Sequence, residues 1–399
     1  MDSFKGEISI SDIEYEPISV KDLLVQMKNT AELMIDLSYT SVLYQNEELA
    51  NEVLRLEERM DILELRAQMS LLMAARNPTD AEQLAPVLGI VAATDQISDA
   101  AGDIAKVVLE DVRLPEAMRS SLPEALELLV KGVVTSDSTY ANQALDSIDL
   151  ESQTGVRVIA IRRENEWILN PGPQTRIGVD DVVFLRGPRP TIDEVYEKLT
   201  GEAYTSPVSE QPQIDDLERA VDTIVHMKNL SELSVDLAYS SVLFDDKDLA
   251  QEVRNLEVEV DALESRLEAW VLQAASDAND PVSLRGLIHL STSTEVISDA
   301  AIDISEGVLR DITTHPVVRL AVQESDEVIT RIQVDAGSEL DGTRILDGVP
   351  DKDISMSVIA IRRDDDWILA PETELTIQAN DILIAKGTQR AAEVFRNYS

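Results

Sequence analysis

Acidic side chains recur at four-residue intervals in two stretches of the chain, and the second stretch lies 200 residues after the first. The positions are Asp95, Asp99, Asp103, Glu295, Asp299 and Asp303. Residues at i, i+4 and i+8 share one face of a helix. Stacked carboxylates supply the oxygen ligands that hard and borderline cations prefer. The spacing therefore indicates a surface site for a divalent metal.

A helical projection places the first three aspartates opposite the apolar stripe that contains Ile97, at roughly 160–240° around the helix. We therefore expect them to be surface residues. A second acidic helix would add carboxylates beside them, from Glu57, Asp61, Glu64, Glu257, Asp261 and Glu264. Like charges at this spacing destabilise a helix, which favours a compensating cation. The alternative interpretation is a solvated acidic face without any ligand.

Two arginine pairs each end a short β-branched segment, at residues 158–163 and 358–363, both with the sequence VIAIRR. Guanidinium groups bind phosphate bidentately, so the pairs suit an anionic ligand. The alternative is that each pair ends a strand and neutralises nearby carboxylates. A tryptophan and a proline follow each pair, at Trp167, Pro171, Trp367 and Pro371.

The composition excludes several classes of protein. The 399 residues include 76 acidic and 34 basic side chains, a formal net charge of −42. Such a surface repels nucleic acid and anionic lipid, and it is typical of adaptation to high salt. The absence of cysteine excludes disulfides and thiolate chemistry. Three histidines argue against a histidine-rich zinc site.

No apolar run is long enough to span a bilayer, and the first residues lack the basic start and apolar core of a signal peptide. The sequence therefore predicts a cytoplasmic protein. Such a protein would reach the inner face of the membrane only through a transporter.

An internal repeat organises the whole chain at a constant offset of 200 residues. The sequence MKN at 27–29 recurs at 227–229, and ISDAA at 97–101 recurs at 297–301. Matching halves can pack about a pseudo-two-fold axis, as the subunits of a homodimer do. We therefore expect one chain to be the covalent equivalent of a dimer.

Each half changes from helical to strand-like periodicity, which predicts an α+β fold. Long helices are expected near 18–45, 47–76, 81–112, 218–245, 247–276 and 281–312, forming two antiparallel three-helix bundles. Short strands are expected at 157–161, 166–169, 182–185, 357–361, 367–369 and 382–385. Short helices near 190–199 and 388–397 close the two halves.

The helical parts resemble the PhoU family, whose three-helix bundles carry acid-x-x-x-Asp motifs that bind metal on an exposed face. The motif DQISD at 95–99 departs from the family by starting with Asp in place of the usual Glu; EVISD at 295–299 does not. The resemblance implies that the metal ligands are Glu57, Asp61, Asp95, Asp99, Asp103, Glu257, Asp261, Glu295, Asp299 and Asp303.

The β-rich parts resemble the C-terminal domain of TrkA-type potassium regulators. The resemblance rests on the VIAIRR segments, the tryptophans and prolines after them, Asp181 and Gly187, and upstream on Gly337, Gly342 and Leu346. It implies paired domains that bind a small regulatory ligand, such as cyclic di-AMP. The implied pocket residues are Ile161, Arg162, Arg163, Trp167, Pro171, Ile361, Arg362, Arg363, Trp367 and Pro371.

Together the two resemblances predict a domain order. It runs as a tail at 1–16, a PhoU-like bundle at 17–122, a TrkA C-terminal-like domain at 123–200, a linker at 201–213, a second bundle at 214–322 and a second β-rich domain at 323–399. The chain has no G-x-G-x-x-G, so control through a Rossmann domain is not expected. Motifs of serine hydrolases, P-loop proteins and zinc proteases are missing too, which predicts a protein that is not an enzyme.

The leading prediction is a regulator of cation transport, foremost of potassium. It would sense a small ligand, associate through its TrkA C-terminal-like domains and act on a membrane transporter or channel subunit. One alternative is a metal-binding regulator of phosphate uptake. Another is a scaffold or binding protein without a signalling role.

Overall fold

A computed structural model of the chain describes residues 19–110, 127–164, 166–205, 215–277, 284–312, 315–345, 354–364 and 366–398. The predicted tail, Leu346 and residues 206–213 of the predicted linker lie outside these residues. Within the described part of the chain, no helix has both the length and the hydrophobicity needed to cross a membrane.

The first half opens with three long helices, α1 (Val20–Tyr44), α2 (Glu47–Ala74) and α3 (Pro78–Leu109). Their starts are fixed by side chains that accept hydrogen bonds from otherwise unpaired N–H groups. Ser19 accepts from Asp22, Asn46 from Leu49, and Asn77 from Asp80. Pro78 follows the Asn77 cap in the first turn of α3, where a missing N–H costs nothing.

A four-stranded antiparallel sheet follows, formed by β1 (Glu127–Val133), β2 (Arg157–Arg163), β3 (Glu166–Leu169) and β4 (Val182–Pro188) in the order β1-β4-β2-β3. Two short helices, α4 (Leu145–Ile148) and α5 (Leu150–Thr154), precede β2, and α6 (Arg189–Thr200) ends the half. Strand β1 was not among the predicted strands. It is an edge strand, and it pairs with β4 over its whole length.

The second half repeats this order. Its bundle contains α7 (Asp215–Phe244), α8 (Lys247–Asp277) and α9 (Arg285–Leu309), followed by a short helix, α10 (Pro316–Gln323). The second sheet contains β5 (Val328–Gln333), β6 (Ser357–Arg363), β7 (Asp366–Leu369) and β8 (Ile382–Gly387), in the order β5-β8-β6-β7. Helix α11 (Gln389–Phe395) and a 3-10 turn, Arg396–Tyr398, end the described chain. The predicted α+β class and the internal repeat are confirmed.

Each sheet is covered on both faces, because successive strand residues point to opposite sides. In the first sheet, Leu129, Ile159 and Phe184 belong to the large core shared with the helices. The alternate residues, such as Leu128 and Leu185, form a separate small core. The sheet is therefore attached directly to its helical bundle.

The two bundles pack against each other through α3 and α9. Two matching hydrogen bonds cross this contact, between the hydroxyls of Tyr39 and Thr294 at 2.6 Å and between those of Tyr239 and Thr94 at 3.1 Å. Both pairs are buried. In one pair the tyrosine comes from the first half and the threonine from the second, and in the other pair the origins are reversed. The described residues thus form the pseudo-two-fold arrangement expected from the repeat.

The two sheet domains also touch within the chain. The backbone N–H of Ser355 donates to the carbonyl of Ser152 at 2.7 Å, and the hydroxyls of Ser152 and Thr388 lie 2.8 Å apart. Arg390 pairs with Asp149 at 2.5 Å. One copy of the sheet domain therefore contacts the other copy directly.

Candidate functional site

The adjacent helices α2 and α3 bring three predicted metal ligands together. Oxygens of Asp61, Asp95 and Asp99 all lie within 4.8 Å of one another, a set that we call the first cluster. Neighbouring helices of a bundle commonly build metal sites in this way. In the second half, the corresponding set is Glu257, Asp261 and Asp299, the second cluster.

The prediction that Asp95 is a surface residue was wrong in part. Asp99 and Asp103 are exposed, as expected, but Asp95 is only partly exposed and its Oδ1 is buried without a hydrogen-bond partner. The helical projection treated α3 alone, whereas α2 covers the flank on which Asp95 lies. The result is a half-buried carboxylate with an unsatisfied oxygen, which is costly unless something binds it.

Burial and nearby like charges raise the pKa of two of the predicted ligands, Asp95 and Glu295. Burial, followed by the charges of Glu64 and Asp99, raises the pKa of Asp95 to about 7. In the second half, burial and the charge of Asp299 raise the pKa of Glu295 to about 7 as well. Both shifts have the sign expected when carboxylates are desolvated together without a cation.

The residues in both clusters fit a divalent cation. They supply oxygen ligands from two rigid helices, and Asp95 adds an oxygen that lacks a protein partner. In such a site, Asp61, Asp95 and Asp99 would hold one cation, and Glu257, Asp261 and Asp299 another. Of the other predicted ligands, Glu57 and Asp103 pair with Lys106, at 3.3 Å and 2.8 Å. Metal binding itself stays a prediction.

The predicted ligand-pocket residues lie on two different surfaces of the sheet. Ile161 and Ile361 are fully buried in the small cores of the two sheet domains. Strand alternation places Arg162 on the opposite face from Ile161. Trp167 pairs with Arg162 across β2 and β3, and packs against Phe184 in the large core.

Arg163 and Arg363 each make the same set of contacts in their own halves. Arg163 donates to both oxygens of buried Asp181, at 2.9 Å and 2.7 Å, and to the carbonyl of Arg176. Arg363 repeats this with Asp381 and Thr376. A bidentate pair to a buried carboxylate anchors the turn before β4 or β8.

Arg162 and Arg362 reach from the sheets to the helices. Arg162 pairs with Glu48 at the start of α2 at 2.7 Å, and Arg362 pairs with Asp248 at the start of α8 at 3.1 Å. Each guanidinium also lies 5.8 Å from the centre of the tryptophan ring beside it. Pro171 and Pro371 are partly exposed. A ligand pocket at these positions stays a prediction.

An open groove of about 300 Å³ lies elsewhere, where the start of α10 meets the ends of α1, α2 and α3. It is lined by Val20, Ala74, Arg76, Asp80, Gln83, Leu84, His315 and Val317. None of the predicted ligand residues contributes to this groove.

Comparison with known protein families explains the alternation of helices and sheets. A family model for the PhoU domain matches residues 24–108 and 224–308, and one for the TrkA-C domain matches residues 130–200 and 329–399. The chain contains two PhoU domains and two TrkA-C domains in tandem. Both are regulatory, non-catalytic families, and their combination supports a regulatory role in ion transport.

Solved structures show weaker similarity. PhoU from Pseudomonas aeruginosa is 13% identical, with 75% of this chain and 95% of that chain covered and a TM-score of 0.41. The GsuK RCK domain is 12% identical (68% and 63% covered, TM-score 0.17), and the GsuK channel bound to NAD is 14% identical (68% and 52% covered, TM-score 0.17). This chain thus spans less than two thirds of the two GsuK chains. No curated protein matches the sequence.

A buried group of charges, which the sequence analysis missed, lies where the PhoU and TrkA-C domains meet. We call it the charge junction, formed by Asp36, Glu127, Arg157, Arg186, Asp236, Glu327 and Lys386. Arg186 on β4 pairs with Asp36 on α1 at 2.9 Å, and Lys386 on β8 pairs with Asp236 on α7 at 2.9 Å. Each TrkA-C domain is thereby tied to its own PhoU bundle.

Glu327 connects the two halves at the centre of the charge junction. One of its oxygens accepts a hydrogen bond from Arg186. The other lies 3.7 Å from Arg157 and 3.8 Å from Lys386. A carboxylate of the second half therefore faces two cations of the first half and one of its own.

The carboxylates of the charge junction differ in the direction in which their pKa is shifted. Burial alone would raise the pKa of Glu327, but Arg186, Lys386 and Arg157 together hold it well below its ordinary value. Burial raises the pKa of Asp36 to about 7 and that of Asp236 to about 6, against the attraction of Arg186 and Lys386. Arg186 is shared among three carboxylates, so it cannot fully compensate each of them.

Proposed function

We propose that the protein is a non-enzymatic regulator of cation transport, foremost of potassium, and that it acts at the cytoplasmic face of the membrane. The TrkA-C domains would bind a small ligand, and the PhoU bundles would pass the ligand-bound state to a membrane transporter or channel subunit. The observation that carries the proposal is the charge junction, because it links both kinds of domain in both halves.

Coupling requires a ligand that binds two conformations with different affinity. A shift of β4 or β8 would move Arg186 or Lys386 relative to the helices. Because these charges are buried, separating one from its partner costs free energy. The sheet domains and the bundles are therefore expected to move together. The junction thus supports transmission between the sheets and the bundles.

An anionic ligand, with cyclic di-AMP as the leading candidate, suits the arginine pairs. Arg162 is the better ligand-binding candidate of its pair, because its partner Glu48 has a side chain that is 56% exposed. Such a partly exposed ion pair is weak and can be exchanged for a phosphate. Trp167 beside it would add a surface for a base. Arg163, by contrast, already anchors buried Asp181.

The test is calorimetric titration of the full-length protein with cyclic di-AMP in high salt. The double variant Arg162→Ala, Arg362→Ala is expected to lose binding of cyclic di-AMP. Arg55→Ala is the matched control, since Arg55 is an exposed arginine on α2 that pairs with Glu52 on the same helix. Unchanged binding in the double variant would refute the pocket assignment.

A thermal-shift screen with other cyclic dinucleotides, nucleotides, phosphate and monovalent cations extends the test. A ligand above its dissociation constant raises the melting temperature by mass action. If no compound shifts the melting temperature, ligand sensing is wrong and a scaffold role is favoured.

The second candidate function is a metal-dependent regulator of phosphate uptake, centred on the PhoU domains. It is supported by the two carboxylate clusters and by the unpartnered Oδ1 of Asp95. Protein purified without chelator is expected to contain stoichiometric divalent metal, measured by elemental analysis. Metal content that is unchanged by Asp99→Asn and Asp299→Asn together would exclude these clusters as the site.

A further inference from the structure

The two carboxylate clusters are built on corresponding helices but recruit different side chains. The first takes Asp61 from α2 and two aspartates from α3, whereas the second takes both Glu257 and Asp261 from α8. Glu57 is the counterpart of Glu257, yet it does not belong to the first cluster. Two positions of α3 that lie beside Glu57, Gly102 and Lys106, differ between the halves.

Gly102 gives Glu57 a place to lie against α3. A Cβ atom at this glycine would come within 2.1 Å of Glu57 Oε2 and 2.6 Å of its Cδ. The carboxylate of Glu57 therefore occupies the space that any larger residue would fill. In the second half the corresponding residue is Ile302, so Glu257 cannot take the same position.

Lys106 supplies the opposite charge for the carboxylate of Glu57. Its ammonium group lies 3.3 Å from Glu57 Oε1 and 2.8 Å from Asp103 Oδ1, so it bridges the two helices. The second half has Glu306 at this position, and it cannot make such a bridge. In the first half, the ammonium group of Lys106 thus lies beside two carboxylates.

We infer that the two clusters bind a divalent cation through different ligands: Glu257 coordinates it directly, whereas Lys106 and Gly102 keep Glu57 away from it. The inference rests on the metal-binding part of the proposed function. It adds that one chain carries two unequal cation sites. A homodimer of either half would carry two equal ones.

The difference sets the expected affinities. Each cluster brings three carboxylates together, but the charges beside the clusters differ. Lys106 pairs with Glu57 and Asp103 beside the first cluster, whereas the second half has Glu306 at that position. Because cation affinity depends on charge as well as on the number of ligands, the second cluster is expected to bind more tightly. The first cluster binds through its three aspartates, and Glu57 joins only when its contact with Lys106 is broken.

The experiment is calorimetric titration of the chelator-stripped, full-length protein with Mn²⁺. Asp299→Asn disables the second cluster, so that the first can be measured alone, and Asp99→Asn does the reverse. Glu257→Gln is expected to weaken binding at the second cluster about tenfold. Glu57→Gln, its matched counterpart, is expected to change binding at the first cluster less than about twofold.

Substitutions at Gly102, at Lys106 and at their counterparts in the second half test why Glu57 is kept out of the first cluster. Lys106→Gln is expected to tighten binding at the first cluster severalfold, and Glu57→Gln should then become costly. Gly102→Ala, which displaces Glu57 without removing a charge, is a second route to the same result. In the second half, Ile302→Gly with Glu306→Lys should weaken binding. Circular dichroism in chelator checks that each variant is folded.

The outcomes distinguish the inference from the function on which it rests. If wild-type protein binds no Mn²⁺, Mg²⁺ or Zn²⁺, metal binding is wrong and the inference is wrong with it. If Mn²⁺ binds but Glu57→Gln and Glu257→Gln have equal effects, the unequal sites alone are wrong. A first cluster whose affinity is unaffected by both Lys106→Gln and Gly102→Ala overturns the assigned cause.

Discussion

The carboxylate clusters and the charge junction place acidic side chains in opposite surroundings. In the clusters, acidic residues of two helices approach within 4.8 Å at a partly exposed surface. In the junction, Glu327 is buried but faces three cations. This acid-rich chain therefore places three of its basic residues beside a buried carboxylate.

The contrast separates structural charges from charges that can bind something. Buried carboxylates need partners, because an uncompensated ion in a low-dielectric interior costs several kcal/mol. Exposed carboxylates can be left unpaired, because water and salt screen their repulsion. A cluster such as Asp61, Asp95 and Asp99 can remain available to a mobile cation. In the junction, Arg186, Arg157 and Lys386 already face the buried carboxylate.

The largest expected effect is the loss of Glu327 from the junction. Glu327→Gln leaves Arg186 and Lys386 buried with less opposing charge. The free energy of unfolding is expected to fall by about 3–5 kcal/mol. Urea denaturation followed by circular dichroism measures this change.

Glu324→Gln is the matched control for that measurement. Glu324 lies three residues away and pairs with Lys21, but its side chain is 54% exposed. Its loss is expected to cost less than about 1 kcal/mol. Equal losses in the two variants would contradict a structural role for the junction.

The second effect is stabilisation of the clusters by metal. At a free Mn²⁺ concentration of about 100 times Kd, each occupied cluster is expected to stabilise the fold by about 2.7 kcal/mol. The gain should appear as a higher melting temperature and disappear in the variant carrying Asp99→Asn and Asp299→Asn. A gain that persists in that variant would place the metal elsewhere, whereas the junction variant Glu327→Gln should retain it.

The sequence predicted the clusters better than the junction, and the reason is physical. Helical spacing alone aligns Asp95 and Asp99, so local periodicity was sufficient to find them. It could not show that α2 covers Asp95 or that Gly102 makes room for Glu57, because both depend on packing between helices. The long helices and most strands were predicted for the same reason, since their periodicity is local.

The junction depends on contacts between residues far apart in the chain. Arg186 and Glu327, for example, come from different halves. A signal was nevertheless present, since Arg186 and Lys386 each interrupt an apolar strand at the same place in the repeat. Asp36 and Asp236 interrupt helices in the same way. A charge inside an apolar run in both copies indicates a buried partner, although it does not identify that partner.

The third effect is a pH dependence that belongs to the junction. The pKa of Asp36 is raised to about 7 by burial, while Arg186, Glu232, Glu127 and Glu327 face it. A raised pKa in the folded state gives stability that is complete below the ordinary aspartate value and is lost as pH rises through 7. Glu327, whose pKa is lowered, acts oppositely, but only at more acidic pH.

Asp36→Asn isolates this contribution, because asparagine stays neutral. Between about pH 5.5 and 7, wild type is expected to lose about 1–2 kcal/mol more than the variant. Urea denaturation across this range, in chelator, gives the difference between the two proteins and cancels the titration of the clusters. Identical pH profiles would mean that Asp36 is already ionised at pH 5.5.

The smallest effect concerns Lys106, the cation at the edge of the first cluster. Its side chain is 39% exposed, and that of its partner Asp103 is 61% exposed. Lys106→Gln is therefore expected to lower the metal-free free energy of unfolding by less than about 1 kcal/mol in low salt. Added KCl screens exposed charges, so the difference should vanish near 1 M salt. Glu327→Gln should remain destabilising there, since salt does not reach a buried pair. If Lys106→Gln kept its full cost at high salt, Lys106 would belong with the buried charges and the contrast between the two regions would fail.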